Sequence, residues 1–107
     1  MKLLHITYTR EHGQDDEAQA QRLLGSAERI AGLPGLVWKI WTYDDEAGTA
    51  GGVYLFDTEE NARAWGDQGA PASLSQIPGV STVRSRYFDV DERLSAFTRG
   101  PGIPATA

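Results

Sequence analysis

Between Gly35 and Phe56 two short runs, Gly-Leu-Val-Trp-Lys-Ile-Trp-Thr-Tyr and Gly-Gly-Val-Tyr-Leu-Phe, carry apolar or aromatic side chains on both parities. Successive side chains of an extended strand point to opposite faces, so Leu36, Trp38 and Ile40 fall on one side and Val37 and Trp41 on the other. The pattern predicts a hairpin with Asp44 to Ala50 as its loop, and both of its faces want cover. Gly51 and Gly52 open its second strand, where consecutive glycines suit a bulge or the close approach of another group better than regular pairing.

Upstream, Lys2 to Thr9 alternates Leu4, Ile6 and Tyr8 against Leu3, His5 and Thr7, the period of a half-buried strand. A polar loop from Arg10 to Gln14 leads to Asp15 and Asp16, either of which can cap a helix. That helix is expected to run to about Ala31, with Ala20, Leu23, Leu24, Ala27, Ile30 and Ala31 as its apolar stripe, and Gly32 and Pro34 stop it. Downstream, Asp57 and Glu60 have capping-box spacing ahead of a short helix through Ala62, Ala64 and Trp65 that ends near Gly69. Pro71 to Pro78 reads as a connector with weak helical potential around Leu74. Gly79 to Val90 gives a last strand, and Asp91 to Thr98 a closing helical turn. Gly100, Pro101, Gly102 and Pro104 offer nothing to pack, so residues 1–98 are expected to form the domain and residues 99–107 a disordered tail.

Strand, helix, strand, strand, helix, strand is the order of an α+β, ferredoxin-like βαββαβ domain: a four-stranded antiparallel sheet with two helices on one face. The other face of such a sheet is open. Trp, Tyr and Phe on both sides of the hairpin make that face too apolar for water, so the expected cover is the same face of a second copy across a two-fold axis. The result is a dimeric α+β barrel with room for a small ligand.

Composition narrows the partners. The chain of 107 residues carries 10 basic and 15 acidic side chains and a net charge of −5, which argues against a nucleic-acid surface. With no cysteine there is no disulfide, thiolate metal site or Cys nucleophile. No stretch approaches a membrane helix and no leader pattern precedes Leu3, so a cytoplasmic protein without membrane contact is the expectation.

Gly35 to Thr42, Ala50 to Phe56 and the later Phe88-Asp-Val-Asp-Glu-Arg-Leu-Ser95 together resemble the YdhR-like monooxygenase family of the dimeric α+β barrel superfamily, over roughly Leu33 to Ala96. The resemblance implies a homodimer and oxygenation of an aromatic or quinone-like compound, by analogy with small cofactor-free monooxygenases. It brings no catalytic assignment. From the residues themselves, a cofactor-free oxygenation needs a base that makes an electron-rich anion and a pocket that excludes water.

His5, mid-strand on the less apolar face, is the candidate base, since the other histidine, His12, lies in a polar loop. Lys39 is the candidate stabiliser of a phenolate. One of Trp38 and Trp41, together with Tyr54 and Phe56, is expected to wall a planar ligand, and Arg84 and Arg86 to clamp an anionic oxygen. Each has an ordinary alternative: a sheet-bonded His, a Lys stem reaching water, aromatic core filling, and arginines paired to carboxylates. Two separated histidines are a poor metal signal, and no phosphate loop or nucleophile elbow is present, so no metal is expected and the expected chemistry needs no cofactor; flavin and haem, which small barrels bind by shape and not by motif, stay open as alternatives. The expected function is therefore a cofactor-independent monooxygenase acting on a small hydrophobic, aromatic or polyketide-type compound. A non-oxidative cyclase or isomerase, and a non-catalytic ligand-binding dimer, are the rival readings.

Overall fold

A computed structural model describes residues 1–11 and 17–104. Strands β1 (Lys2–Arg10), β2 (Leu36–Asp44), β3 (Thr49–Phe56) and β4 (Val80–Asp89) form one antiparallel sheet in the order β2-β3-β1-β4. Helices α1 (Glu17–Ala31), α2 (Glu59–Arg63), α3 (Ala70–Leu74) and α4 (Glu92–Phe97) complete it, with a π-helical turn over Ala64–Gly69 joining α2 to α3. This is the expected α+β, ferredoxin-like arrangement. Among the described residues no helix is long and apolar enough to cross a membrane.

The alternation in β1 sets the two faces. Leu4, Ile6 and Tyr8 are buried, and their neighbours Tyr54 on β3 and Tyr87 on β4 share that face. Leu4, Ile6, Tyr54 and Phe56 pack with Ile30 of α1 and with Ala62, Trp65 and Ala70 of the second helical segment to make the core. Two cations close its ends by burying their stems and pairing their heads. Lys2 Nζ donates to Asp89 Oδ1 at 2.6 Å and meets Glu59 at 3.1 Å, and Arg10 Nη2 donates to Asp45 Oδ1 at 2.8 Å.

Several element ends differ from their sequence expectations for local reasons. Thr58, one residue beyond Asp57, is the cap of α2: its hydroxyl accepts from the Asn61 backbone N–H at 3.2 Å. Asp57 instead holds Asn61 Nδ2 at 2.8 Å and donates its own backbone N–H to the Gly35 carbonyl. These two side chains occupy the space a Cβ on Gly35 would need, and Gly35 has φ +74°, so that turn requires glycine twice over. The helix does not end at Gly69. The wider π turn carries it into α3, where Pro71 sits in the first turn and its missing N–H costs little. The caps expected at Asp15 and Asp16 lie outside the described residues, as does His12.

Gly51 and Gly52 are regularly paired on both sides, opposite Thr7 and Ile6 on β1 and Thr42 and Trp41 on β2. They also admit a close approach: a Cβ on Gly51 would strike the Ile6 carbonyl, and one on Gly52 the Lys39 side chain. The irregularities fall elsewhere, between Leu36 and Trp38 and opposite Thr7–Thr9, where Thr82 adopts φ +53°.

The tail expected to be disordered is described as far as Pro104 and returns to the far edge of the sheet. Asp91 caps α4 by accepting from the Leu94 N–H at 2.9 Å, Gly100 N–H donates to the Ser95 carbonyl, and Trp38 Nε1 donates to the Pro101 carbonyl at 2.8 Å. Trp38 supplies the packing partner that the Gly-Pro composition did not reveal.

Candidate active site

On the helix side of the sheet β2 presents Lys39 and Trp41, because they pair with Tyr54 and Gly52 of β3. Among its described side chains helix α1 buries only Ile30 fully and leaves Ala20, Leu24 and Ala31 exposed, so it stands off from β2. The gap is a chain of three hollows with Trp41 in the wall of each. The innermost has a volume of about 30 Å³. Its floor is Ile6, Tyr8, Lys39 and Tyr54, and its roof is Leu23, Ile30, Trp65, Ala70 and Leu74. Arg29 Nη1 donates to Ser73 Oγ at 3.3 Å, tying α1 to α3 beside it. Toward the hairpin loop an open groove of about 310 Å³ runs between Leu23, Leu24 and Ala27 on one side and Trp41 and Tyr43 on the other. Toward Ala31 and Leu36 lies a third hollow of about 270 Å³, which also touches Lys39.

Lys39 is the chemical centre of this gap. Its Nζ stands 3.2 Å from the centroid of the Trp41 ring and 4.6 Å from that of Tyr54. Among the described residues no carboxylate lines the inner cavity and Lys39 makes no ion pair. Burial without a counter-charge lowers its pKa to about 7. The two ring faces are its remaining electrostatic compensation, and they favour the ammonium. The amine therefore passes between its two forms near neutral pH.

Arg29, Ser26 and Ser73 also line the cavity, and three further polar groups, on Tyr54, Tyr8 and Trp65, stand at its buried end. Burial, foremost, pushes the Tyr54 hydroxyl up to about 12, and it raises Tyr8 in the same direction, so both phenols remain protonated donors. Trp65 Nε1 is buried with no hydrogen-bond partner among the described residues. It stands near enough to Tyr54 to favour that phenolate a little without making a bond of ordinary geometry. A buried, unpaired donor is uncommon in folded proteins and is satisfied at low cost by a ligand acceptor.

The structure thus brings Lys39, Trp41 and Tyr54 together and places the other expected residues elsewhere. His5 pairs with Val53 and Arg86 on the helix-free face, one parity away from Ile6. Arg84 and Arg86 share that face opposite Thr7 and His5, and Trp38, opposite Leu55, shares it too. Phe56 is on the helix side but fully buried, stacked 6.0 Å from Tyr54, and belongs to the core rather than to the Lys39 cavity. Trp65, Tyr8 and Arg29 are the residues that the sequence reading did not select. Trp65 carried one usable signal, as an aromatic on a helix that must pack on the strand holding Tyr54.

An antiparallel four-stranded sheet with helices packed on it and a lysine-centred gap beneath them defines the chain as an α+β, ferredoxin-like fold. Residues 3–101 match the family described as "Putative mono-oxygenase ydhR", and the chain belongs to that family. No curated protein matches the chain by sequence. Solved structures share the fold at low identity. A protein from Deinococcus radiodurans described as a "putative antibiotic biosynthesis monooxygenase" is 13% identical over 84% of this chain and 92% of its own, with a TM-score of 0.63. The heme-degrader MhuD of Mycobacterium tuberculosis, with two hemes bound, is 15% identical over 85% and 96%, with a TM-score of 0.61. The cofactor-independent oxygenase SnoaB of Streptomyces nogalater is 16% identical over 84% and 93%, with a TM-score of 0.58.

Proposed function

We propose that this protein is a homodimeric, cofactor-independent monooxygenase that oxidises a small hydrophobic aromatic or polyketide-type compound bound in the open hollows of the α1/β2 gap, with its reacting end at Lys39. The observation that carries this reading is Lys39 itself, an amine without a counter-charge, near half-ionised at neutral pH and walled by aromatic rings. In its neutral form it takes a proton from an acidic C–H or phenol. The resulting ammonium then holds the anion it has made, in a low-dielectric site where that attraction is strong. The electron-rich anion reacts with molecular oxygen, and an activated methylene becomes a carbonyl. One oxygen atom stays on that carbon, and the other leaves as water with the two hydrogens the methylene has lost. Trp65 Nε1 is the donor for a substrate oxygen.

Family membership supports the reaction class, and SnoaB, of the same fold, supports chemistry without a cofactor. MhuD raises haem as a second occupant. The donor set does not fit it: among the described residues no His, Cys, Met or carboxylate lines the inner cavity, and its tyrosines are held protonated, which makes them poor iron ligands. We therefore derive no step through haem.

The dimer rests on the helix-free face, where Ile40, Phe88, Arg84 and Arg86 are all exposed. Light scattering at micromolar concentration is expected to give twice the chain mass, and a stable monomer would remove the dimer from this reading. The activity is tested by oxygen uptake over a panel of hydroxyanthrones and catechols with purified, flavin-free protein. For the hydroxyanthrones, one oxygen molecule consumed per methylene converted to a carbonyl is the expected result, and for the catechols oxygen uptake above the protein-free rate. Turnover of the same substrates without oxygen would instead identify a cyclase or isomerase, and no turnover with tight binding a ligand-binding module.

A further inference from the structure

We infer that Lys39 is also a nucleophile, and that the α1/β2 gap is a binding site for apolar aldehydes and methyl ketones, held as an imine on Lys39 Nζ. This goes beyond the oxygenase reading: it uses the same amine but requires neither oxygen nor an acidic C–H.

Three features of the gap select a carbonyl carried on an apolar chain. The inner cavity, about 30 Å³, is the size of a head group and not of a ring system. It opens past Tyr8, Leu23, Trp41 and Gly51 into the groove of about 310 Å³, whose α1 side is Ala20, Leu23, Leu24 and Ala27. A ligand that fills both has one compact polar end and an aliphatic body. At the polar end stand an amine with no carboxylate to hold it as an ammonium and the unpaired N–H of Trp65, a donor for a carbonyl oxygen. A desolvated lysine of this kind is the type of amine that forms Schiff bases. Nζ adds to the carbonyl carbon, the oxygen takes up a proton to give the carbinolamine, and loss of that hydroxyl as water leaves the C=N bond. Tyr8 and Tyr54, both kept protonated, flank the site where this proton traffic occurs. Atoms balance as amine plus carbonyl to imine plus water, with no change of oxidation state.

The sequence supplies its own control, because it contains two lysines, Lys2 and Lys39. Lys2 is held as an ammonium first by its hydrogen bond to Asp89 and then by Glu59. The test is reductive trapping under nitrogen: the full chain with octanal and sodium cyanoborohydride at pH 7, read by peptide mapping so that the terminal amine is scored separately. Lys39 is expected to be alkylated at least about ten times faster than Lys2, since at pH 7 an ordinary lysine is neutral only in about one molecule in a few thousand. The Lys39 to Lys2 ratio is expected to fall when glyceraldehyde replaces octanal, because a hydroxylated chain buries no apolar surface against Ala20, Leu23, Leu24 and Ala27, although Arg10 and Thr42 stand on the other side of the groove. Equal labelling of the two lysines, or no preference for octanal, would overturn the inference, and neither result depends on a variant that has to fold. Trapping without oxygen uptake would sink the oxygenase reading alone, and oxygen uptake without trapping would sink this inference alone.

Discussion

Lys39 and Trp41 stand two residues apart on one face of β2, with the lysine Nζ 3.2 Å from the centre of the indole ring. The pair forms because Gly52, opposite Trp41, has no side chain: a Cβ there would strike Lys39. The glycine thus makes the space into which the lysine folds, and burial makes the amine unusual.

That burial has a pH signature. Lys39 titrates near 7 in the folded chain and near its ordinary, higher value when unfolded, so between those values the unfolded state binds the extra proton. Stability therefore rises with pH from about 7 toward 10 on account of this residue. Lys39→Met keeps the bulk and removes the titration. It is expected to be more stable than the parent at pH 7, by about 1–3 kcal/mol, and to lose most of that advantage by pH 9.5. Urea unfolding of both proteins at the two pH values measures the difference, in which the tyrosines, common to both, cancel.

The two glycines of β3 are expected to respond differently to alanine. At Gly51 the obstacle is the Ile6 carbonyl, which is backbone of the neighbouring strand and cannot swing away. Gly51→Ala is expected to cost roughly 2 kcal/mol or more, or to prevent folding. At Gly52 the nearest obstacle is a lysine side chain that can leave, and the Ile40 carbonyl at 3.0 Å has to give by only a few tenths of an ångström. Gly52→Ala is expected to fold, with Lys39 displaced from Trp41 and returned toward an ordinary lysine titration, which NMR of the amine-bearing carbon follows directly.

Trp65 separates packing from hydrogen bonding. Its ring is buried against Tyr54, 6.5 Å between centroids, while its N–H has no partner among the described residues. Trp65→Ala is expected to cost about 3–5 kcal/mol through the cavity it leaves. Trp65→Phe, which keeps an aromatic ring and removes the unpaired donor, is expected to cost less than about 1.5 kcal/mol while weakening ligand binding severalfold. Equal losses of stability in the two variants, measured in urea, would show that the N–H is bonded after all.

The fold was legible because its signals are periodic. The alternation of Leu4, Ile6 and Tyr8, the Gly-Pro stop after α1 and the double-sided hairpin together specify a split βαβ sheet. The site was legible in part. Trp38 and Trp41 had to lie on opposite faces, but which face held the gap depends on where α1 stands, and an amphipathic stripe does not encode its distance from the sheet. His5 was attractive for its titration range, a property of the residue and not of its parity, and parity placed it opposite Arg86 on the helix-free face. The sequence marks Lys39 as a stabiliser of a phenolate and not as a base, because its pKa comes from burial by residues of α1 and the second helical segment, far away along the chain. The tail escaped for the same kind of reason: its anchor is a single N–H, on Trp38.

The most direct test of the central claim is oxygen uptake with a hydroxyanthrone, measured side by side for the parent, Lys39→Met and His5→Ala. Loss of at least about a hundredfold in Lys39→Met, with His5→Ala within about twofold of the parent, is the result expected if the amine in the α1/β2 gap is the base. A Lys39→Met protein that folds and takes up oxygen at the parental rate would contradict the account.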